Sequence, residues 1–448
     1  MNKDVAVRDI LDAEKWHLKG KQVRRSFMHL KKRVLNISKA VFDEKTYVED
    51  GFLHINKQEL VDQLQDFNFK SIDVELVHPG ERCRINNVAD CVQPMYKLGK
   101  GASTFPGVVD DIKRVGTGET VVLRGVSVTE VALRPLKISS ILDMFGFNAD
   151  LSLTVPKMVQ VCLLAEPTDG VTDNEYFNSL NIASKKAAKY LAQCAADCAP
   201  DSVEEFCLAE DVDPNLPKVV YVFQIFSHAP LTDTVYYGDG CASMLPIVVH
   251  PNEVLDGALL FRDYYQTCNA SPSCVYQEHP MILELMRRHG KDINFAGLII
   301  SNTPAEVANK RRNAMMCAGL AKYHFHADCA IVTKEGGGHP QIDTGLNCDA
   351  LEELGIKTVL VLAEMLSAGS PVTELVLFST KNANAMVTTG CIDNVHSFEK
   401  PDRLVGLKTL FSHTGVINAE EAFEMTEMRM QRDVLNQVGN TNLISVEY

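Results

Sequence analysis

Nucleophilic, ionisable and hydrogen-bonding side chains crowd into one stretch of this 448-residue chain. It opens as His250-Pro251-Asn252-Glu253-Val254-Leu255-Asp256-Gly257, runs through a few apolar residues, and ends as FRDYYQTCNASPSCVYQEHPMI from Phe261. The stretch has no strong periodicity, and functional side chains concentrate on such connections. The peptide bond between Thr267 and Cys268 offers a specific reaction. If the backbone at Thr267 is held in a strained turn, the Cys268 thiol can attack the preceding carbonyl and convert the amide to a thioester, assisted by a base and an oxyanion-stabilising donor. β-Elimination then breaks the chain, and the dehydroalanine end hydrolyses to a pyruvoyl ketone. Such a ketone can combine with an amine and draw electrons from the amine's α-carbon, as an imported pyridoxal carbonyl does. By itself the dipeptide is an ordinary pattern, because free cysteine packs as a small buried hydrophobe.

His250, Asn252, Glu253 and Asp256 are candidates for the base and donors of that reaction. Beside Pro and Gly, Asn and Asp serve equally as caps and turn residues. Cys274, six residues past Cys268, reads either as a second redox thiol or as a structural cysteine, and Cys241 in Gly-Asp-Gly-Cys is an alternative scission point. Glu335-Gly336-Gly337-Gly338-His339-Pro340 falls between a strand and a helix, at the carboxyl end of a parallel strand, where open α/β sheets place ligands. Its glycines let backbone N–H groups approach an anion, a substrate carboxylate rather than a nucleotide, since neither a P-loop nor a G-x-G-x-x-G is present. A tight turn without a ligand is the competing reading. His289 and Lys291 close a helix, where a cation complements the dipole. His324, His326 and Cys329 lack zinc-site spacing, so no metal is expected.

The elements that must position these residues read as two α/β halves. Residues 1 to about 45 read as a charged helical arm, with Lys31, Lys32 and Arg33 on a solvated helix face. TYVEDGFLHI, NKQELVDQLQDF and SIDVELV give strand, helix and strand, with Asn56 as the N-cap. TVVLRGVSVTEVAL predicts antiparallel strands, LTVPKMVQVCLLAEP a buried strand, and residues 173 to 195 a long helix with Leu180, Ala183, Ala187, Leu191 and Cys194 on one face. VVYVFQIF predicts another central strand, and residues 255 to 280 the best linker. Downstream, strands at 293–301, 327–334, 356–363, 374–380 and 385–390 alternate with helices at 304–322 and 341–354. That alternation predicts a parallel, flavodoxin- or Rossmann-like sheet with flanking helices in the C-terminal half, and the N-terminal half is read as mixed α/β with an antiparallel β-rich part.

Composition narrows the function classes. A formal charge of −14 argues against a phosphate backbone as partner. The sequence has no apolar run long enough to span a membrane and no secretory leader, so the expected location is cytoplasmic. Thirteen scattered cysteines without a C-x-x-C pair read as reduced thiols.

Longer runs carry a resemblance. HPNEVLDGALL, YQEHPMILELMRRHGKDINFAGLIISN and VTKEGGGHPQIDTGLNCDALEELGIKTVLV resemble the proprotein subunits of glycine, sarcosine and betaine reductase component B and of D-proline reductase. YVEDGFLHINKQELV, HPGERCRINNVADCVQP and FPGVVDDIKRVGTGETVVLRG are similar to the component B precursor in the same order. The resemblance spans about residues 45 to 395. It implies a precursor cut before Cys268, giving fragments 46–267, after the arm, and 268–448, the second bearing the pyruvoyl group. It further implies a hetero-oligomeric, pyruvoyl-dependent oxidoreductase of anaerobic amino-acid fermentation. In it an amino-acid substrate undergoes reductive carbon–nitrogen cleavage, with a selenocysteine-containing partner subunit attacking the α-carbon. Two departures bear on the substrate. Thr267 follows the D-proline reductase pattern while the flanking sequence follows the glycine type, and LSAGSP (366–371) replaces an acidic, Arg- and Gly-containing segment. The alternative is an unprocessed paralogue acting as a scaffold or ligand-binding subunit.

Overall fold

A computed structural model describes residues 28–209, 211–229, 232–262, 264, 270–364, 378–380, 382–383, 385–391, 396–412, 415–425, 430–434, 437–439 and 444–445. Thr267 and Cys268, the first 27 residues of the expected arm, and LSAGSP lie outside the described residues.

The N-terminal part supplies β1 (Leu30–Asn36), β2 (Phe69–Val77), β3 (Val88–Val92), β4 (Met95–Lys97), β5 (Gly118–Arg124), β6 (Val126–Ala132), β7 (Val159–Pro167), α1 (Asp173–Gln193) and β8 (Ser202–Phe206). They form two four-stranded mixed sheets, in the orders β8-β1-β5-β4 and β2-β7-β6-β3. The run read as antiparallel strands is therefore divided between the sheets. β5 lies parallel to β1 and β6 parallel to β7, and Gly125 turns the chain from one sheet to the other. Only glycine fits there, with φ at +87° and a Cβ falling 2.3 Å from the Ile37 carbonyl oxygen. Both apolar strands are covered on two faces, which an edge pairing with each other would not provide.

The helical arm is corrected over its described part. Leu30–Asn36 is a strand and Lys39–Phe42 another. Leu30, Lys32 and Val34 alternate inward, so Lys32 is fully buried rather than solvated. Its ammonium is satisfied by the Gln277 carbonyl at 2.6 Å and the Glu278 carboxylate at 3.1 Å, which makes this burial tolerable. Helix α1 starts at a reciprocal cap, where Glu175 N donates to Thr172 Oγ1 and Thr172 N to Glu175 Oε2. Its stripe of Leu180, Ala183, Ala187 and Leu191 joins the core with residues of β6 and β7.

The second part supplies β9 (Lys218–Ile225), β10 (Ile247–Val249), α2 (Pro251–Leu255), α3 (Ser273–Gln277), β11 (Asn294–Asn302), α4 (Val307–Gly319), β12 (Cys329–Lys334), α5 (Pro340–Glu353), β13 (Lys357–Glu364), β14 (Ala385–Cys391) and β15 (Ile444–Ser445). They form a seven-stranded sheet ordered β10-β11-β9-β12-β13-β14-β15. The five inner strands are parallel and the two edge strands antiparallel. The inner order reverses between β9 and β12, the position at which open α/β sheets form a crevice at their carboxyl ends. This sheet is not confined to the C-terminal half, because its central strand β9 precedes Thr267. The expected strand at 374–380 falls mostly outside the described residues, and Phe378–Thr380 are not in a strand.

One face of the parallel sheet packs with α4 and α5. The other shares a core with β3, and that core contains Val254, Leu255, Leu259, Phe261, Cys274 and Tyr276. The described residues of 255–280 are therefore core filling between two sheets, not a linker. Their apolar side chains are removed from water on both sides of the chain.

Candidate active site

The parts of the reactive stretch on either side of residues 263–269 are fastened to each other and to the sheets around them. Phe261 N donates to Ser273 Oγ at 2.9 Å, which ties together the two sides of the eleven intervening residues, Thr267 and Cys268 among them in sequence. Asp90 on β3 accepts Ser273 N at 2.8 Å and Ser273 Oγ at 2.6 Å, fixing the start of α3. The Asn181 amide donates to the Phe261 carbonyl at 3.2 Å. Arg432 donates to the Ala270 carbonyl at 2.7 Å and lies over the Phe261 ring. Glu335, at the end of β12, accepts Ser271 N at 2.8 Å and the Tyr276 hydroxyl at 2.5 Å.

Asp90 also belongs to a buried charge cluster. Lys185 on α1 is fully buried and reaches Asp90 at 2.8 Å and Glu130, on β6, at 2.9 Å. All hydrogen bonds to Glu130 go to Oε1, from Lys185, from Ser184 at 2.5 Å and from Asn181 at 3.3 Å. Its Oε2 has no partner among the described residues. Burial pushes the Glu130 carboxyl above the usual carboxylate range, against the pull of Lys185. Burial works against the charge on Lys185 as well, but Asp90 and Glu130 together hold its ammonium above the ordinary lysine value. A cavity of about 10 Å³, room for one water, is lined by Ala89, Asp90, Glu130, Phe177, Asn181, Arg262 and Tyr264. Phe177 and Tyr264 stack at 4.2 Å to form one wall.

The glycine-rich turn is placed by its neighbours. Lys334 and Glu335 are consecutive and buried, and burial lowers the Lys334 amine to about 7 and raises the Glu335 carboxyl against its Tyr276 and Ser271 hydrogen bonds. Lys334 donates to the Gly336 carbonyl. Gly336 has φ +82°, and a Cβ there would meet the Phe226 ring at 2.4 Å. Beyond Gly337 and Gly338, His339 starts α5 and receives Lys310 Nζ on Nδ1 at 3.0 Å, while Lys310 also pairs with Asp343. The structure thus brings Glu335 to the reactive stretch, and turns Lys310 toward the far end of the same turn.

The residues of α2 form a separate clamp. Asn252 N donates to His250 Nδ1 at 3.2 Å, and Glu253 accepts His250 N and the Tyr237 hydroxyl. Asn252 donates to the carbonyls of Met28, Gly116 and Phe206. Asp256 accepts Lys97 at 2.5 Å, Gly116 N and Thr120 Oγ1. None of these side-chain bonds reaches residues 261–276 among the described residues. Burial lowers His250 to about 4, so it is neutral at pH 7. Cys274 is buried and its thiol is pushed well up by burial, and Cys241 is likewise buried with a raised thiol pKa. His289 accepts Phe295 N and donates to the Ala209 carbonyl at the end of its helix.

Among the described residues, no group of three or more His, Cys, Asp or Glu side chains is arranged to hold a metal, and no helix is long and apolar enough to cross a membrane. The profile of glycine/sarcosine/betaine reductase component B subunits matches residues 28–431. The chain belongs to this family. It is 34% identical over 371 residues to the glycine reductase complex component B subunits alpha and beta of Acetoanaerobium sticklandii, covering 82% of this chain and 86% of that one. It is 32% identical over 408 residues to the sarcosine reductase complex component B subunit alpha of Peptoclostridium acidaminophilum, covering 89% and 95%. The D-proline reductase proprotein of A. sticklandii is a more distant relative, 22% identical over 74% of this chain and 54% of its own length. No solved structure matches.

This chain places Asp90, Glu130, Lys185 and Arg432 at the described residues of that stretch, and the sequence pattern did not single them out. Two of them left a signal. Asn181, Ser184 and Lys185 sit at i, i+3 and i+4 beside the apolar stripe of α1, a polar patch on a buried face. Glu130 interrupts VSVTEVA, in which every other residue is apolar or a small hydroxyl.

Proposed function

We propose that this chain is the precursor of a pyruvoyl-dependent subunit in an amino-acid reductase complex, an oxidoreductase acting on an amino acid such as those named for its relatives. The observation that carries the reading is the anchoring of both ends of the Phe261–Ser273 loop, by Ser273, Asp90, Asn181 and Glu335, around the one Thr-Cys bond that the family resemblance marks for scission. In the scission step Cys268 Sγ bonds to the Thr267 carbonyl carbon, and the carbon–nitrogen bond breaks to leave a thioester and a free amine. Loss of the Cys268 α-proton expels the sulfur with the Thr267 acyl group as a thiocarboxylate. Water then replaces the nitrogen of the dehydroalanine end, releasing ammonia. The Asp90–Lys185–Glu130 cluster and Glu335 are positioning residues in this scheme, holding the chain on either side so that thiol and carbonyl stay within reach.

The residues present fit such a group. Arg432 and Glu335 fasten Ala270 and Ser271, which follow Cys268 in sequence. When formed, the ketone supplies an electrophile for the substrate nitrogen. The chain's own residues bind and orient the substrate, and their burial excludes water. A selenocysteine-containing partner subunit, implied by the resemblance, completes a cytoplasmic hetero-oligomer.

Denaturing electrophoresis of the purified chain tests the reading. Processing divides the 49.6 kDa chain into bands of roughly 29 and 20 kDa. Mass spectrometry should find the smaller fragment starting at position 268 with a carbonyl end that reacts with hydrazines or borohydride. A free cysteine terminus there would mean simple proteolysis. A single full-length band, whether or not the partner subunit is present, would leave the chain an unprocessed scaffold.

A further inference from the structure

Arg432 is a cation with 1% of its surface exposed, and taking a guanidinium out of water is costly unless its donors are used. It lies past the runs that carry the family resemblance. Its Nη1 donates to the Ala270 carbonyl at 2.7 Å, and its guanidinium lies 4.9 Å from the centre of the Phe261 ring. In sequence these two contacts flank Thr267 and Cys268, and Ala270 is the third residue of the fragment that scission would create. The residues beside Arg432 hold it there. Gln431 clasps the backbone of Asp143, accepting its N–H at 3.0 Å and donating to its carbonyl at 3.3 Å. Arg432 N donates to the Ile141 carbonyl at 2.7 Å. Asp433 gathers Ser152 Oγ at 2.8 Å, Thr154 Oγ1, and Val155 N at 3.3 Å on a single oxygen. Its φ of +67° is a conformation that a non-glycine residue keeps only where its surroundings fix it. These partners of Gln431 and Asp433 all precede Thr267, whereas Ala270 follows it.

We infer that residues 431–433 form a clasp across the scission point, in which Arg432 is the positioning residue that holds the new end of the second fragment against the first. The inference rests on the scission reading and adds the residue on which the geometry of the cut depends. Before the cut, the hydrogen bond from Arg432 fixes the carbonyl two residues after Cys268 and so restricts the approach of thiol to amide carbonyl. After it, Gln431 and Asp433 stay on the first fragment, and Arg432 keeps Ala270 with them. Glu335 does not duplicate this role, because it lies on the same fragment as the Ser271 N–H it accepts. Asp90 also crosses the cut, but it fastens Ser273, three residues further along.

The rate at which the freshly synthesised full chain is cut, followed by denaturing electrophoresis, tests this in wild type, Arg432→Met, Arg432→Gln and Arg432→Lys. Methionine keeps the packing on Phe261 without a donor, glutamine keeps a polar group without the charge or the reach, and lysine keeps charge and donor. Scission should slow at least about tenfold in the methionine and glutamine variants, as expected for one lost hydrogen bond from a buried cation, and lysine should restore most of the rate. Amide exchange over residues 270–277 should quicken at least about tenfold in the same two variants. Exchange over 141–155, held by Gln431 and Asp433, should stay within about twofold of wild type. A wild-type rate in either variant that folds would overturn the inference. Equal slowing in all three variants, or exchange that quickens alike over both segments, would also overturn it, since a merely structural role predicts those results. A wild type that is never cut refutes the scission reading, and exchange over 270–277 then decides whether Arg432 holds Ala270. Quickening in Arg432→Met or Arg432→Gln supports the clasp, and no change overturns it.

Discussion

Arg84 and Lys185 are both cations with no exposed surface, each paired with a buried carboxylate, and they are finished in opposite ways. Arg84 meets Asp143 through Nε at 2.6 Å and Nη2 at 2.9 Å, and spends its remaining donors on the carbonyls of Ala419, Glu421 and Glu399. Its set is closed and joins the strands Cys83–Asn86 and Ile141–Asp143 to residues 399–421. The Lys185 cluster leaves Glu130 Oε2 open and lies beside a cavity. The difference teaches where to look for chemistry in a core. A saturated ion pair is accounted for by architecture, whereas a buried charge with capacity to spare needs another reason to be there.

The comparison can be broken by experiment. Arg84→Ala strands Asp143 without its cation, and denaturant unfolding should show a loss of about 3–5 kcal/mol, or no folded protein at all. A loss below about 1 kcal/mol would mean that the closed set is not architectural.

Acid should act next most strongly, through His279. It is fully buried at the base of the reactive segment, and burial lowers it from 6.5 to about 3. A base with a depressed folded pKa contributes stability that is complete above its unfolded value and is lost as pH falls from about 6.5 toward 3. The loss at pH 5 relative to pH 7 should be about 2 kcal/mol from this residue. His279→Gln should flatten that part of the pH profile, and an unchanged slope would place the titrating group elsewhere.

The smallest stability effect is expected at the open cluster. Glu130→Gln keeps an oxygen for Lys185 and Ser184, so thermal or denaturant unfolding should shift by only about 1 kcal/mol. If it costs as much as Arg84→Ala, the two clusters are equivalent and the distinction between them fails.

A further consequence follows from the placement of β9. Cutting at Thr267–Cys268 would leave the central strand of the parallel sheet on one fragment and its neighbours β11 and β12 on the other. The two fragments should therefore elute together in native gel filtration and separate only on unfolding. Fragments that part without denaturant would contradict the strand order.

Much of this protein could be read from local pattern. Asn56 caps its helix as its position predicts, Glu175 completes the cap at Thr172, and the strands at 219–226, 293–301, 327–334 and 356–363 lie within two residues of their expected bounds. These signals are local because hydrophobic period and capping chemistry act over a few residues. Long runs of similar sequence also pointed to the family without any coordinates. The partners of each strand were not legible. β5 and β6 are contiguous apolar runs, and the turn at Gly125, set by its approach to Ile37, put them in separate sheets. Lys32 read as a surface charge until Gln277 and Glu278, some 245 residues away, arrived to satisfy it. Sequence alone thus indicated the family and most of the regular elements. Tertiary structure alone brought Asp90, Glu130, Lys185 and Arg432 to the described residues of the reactive stretch, because the burial and pairing that single them out exist only once distant segments share one core.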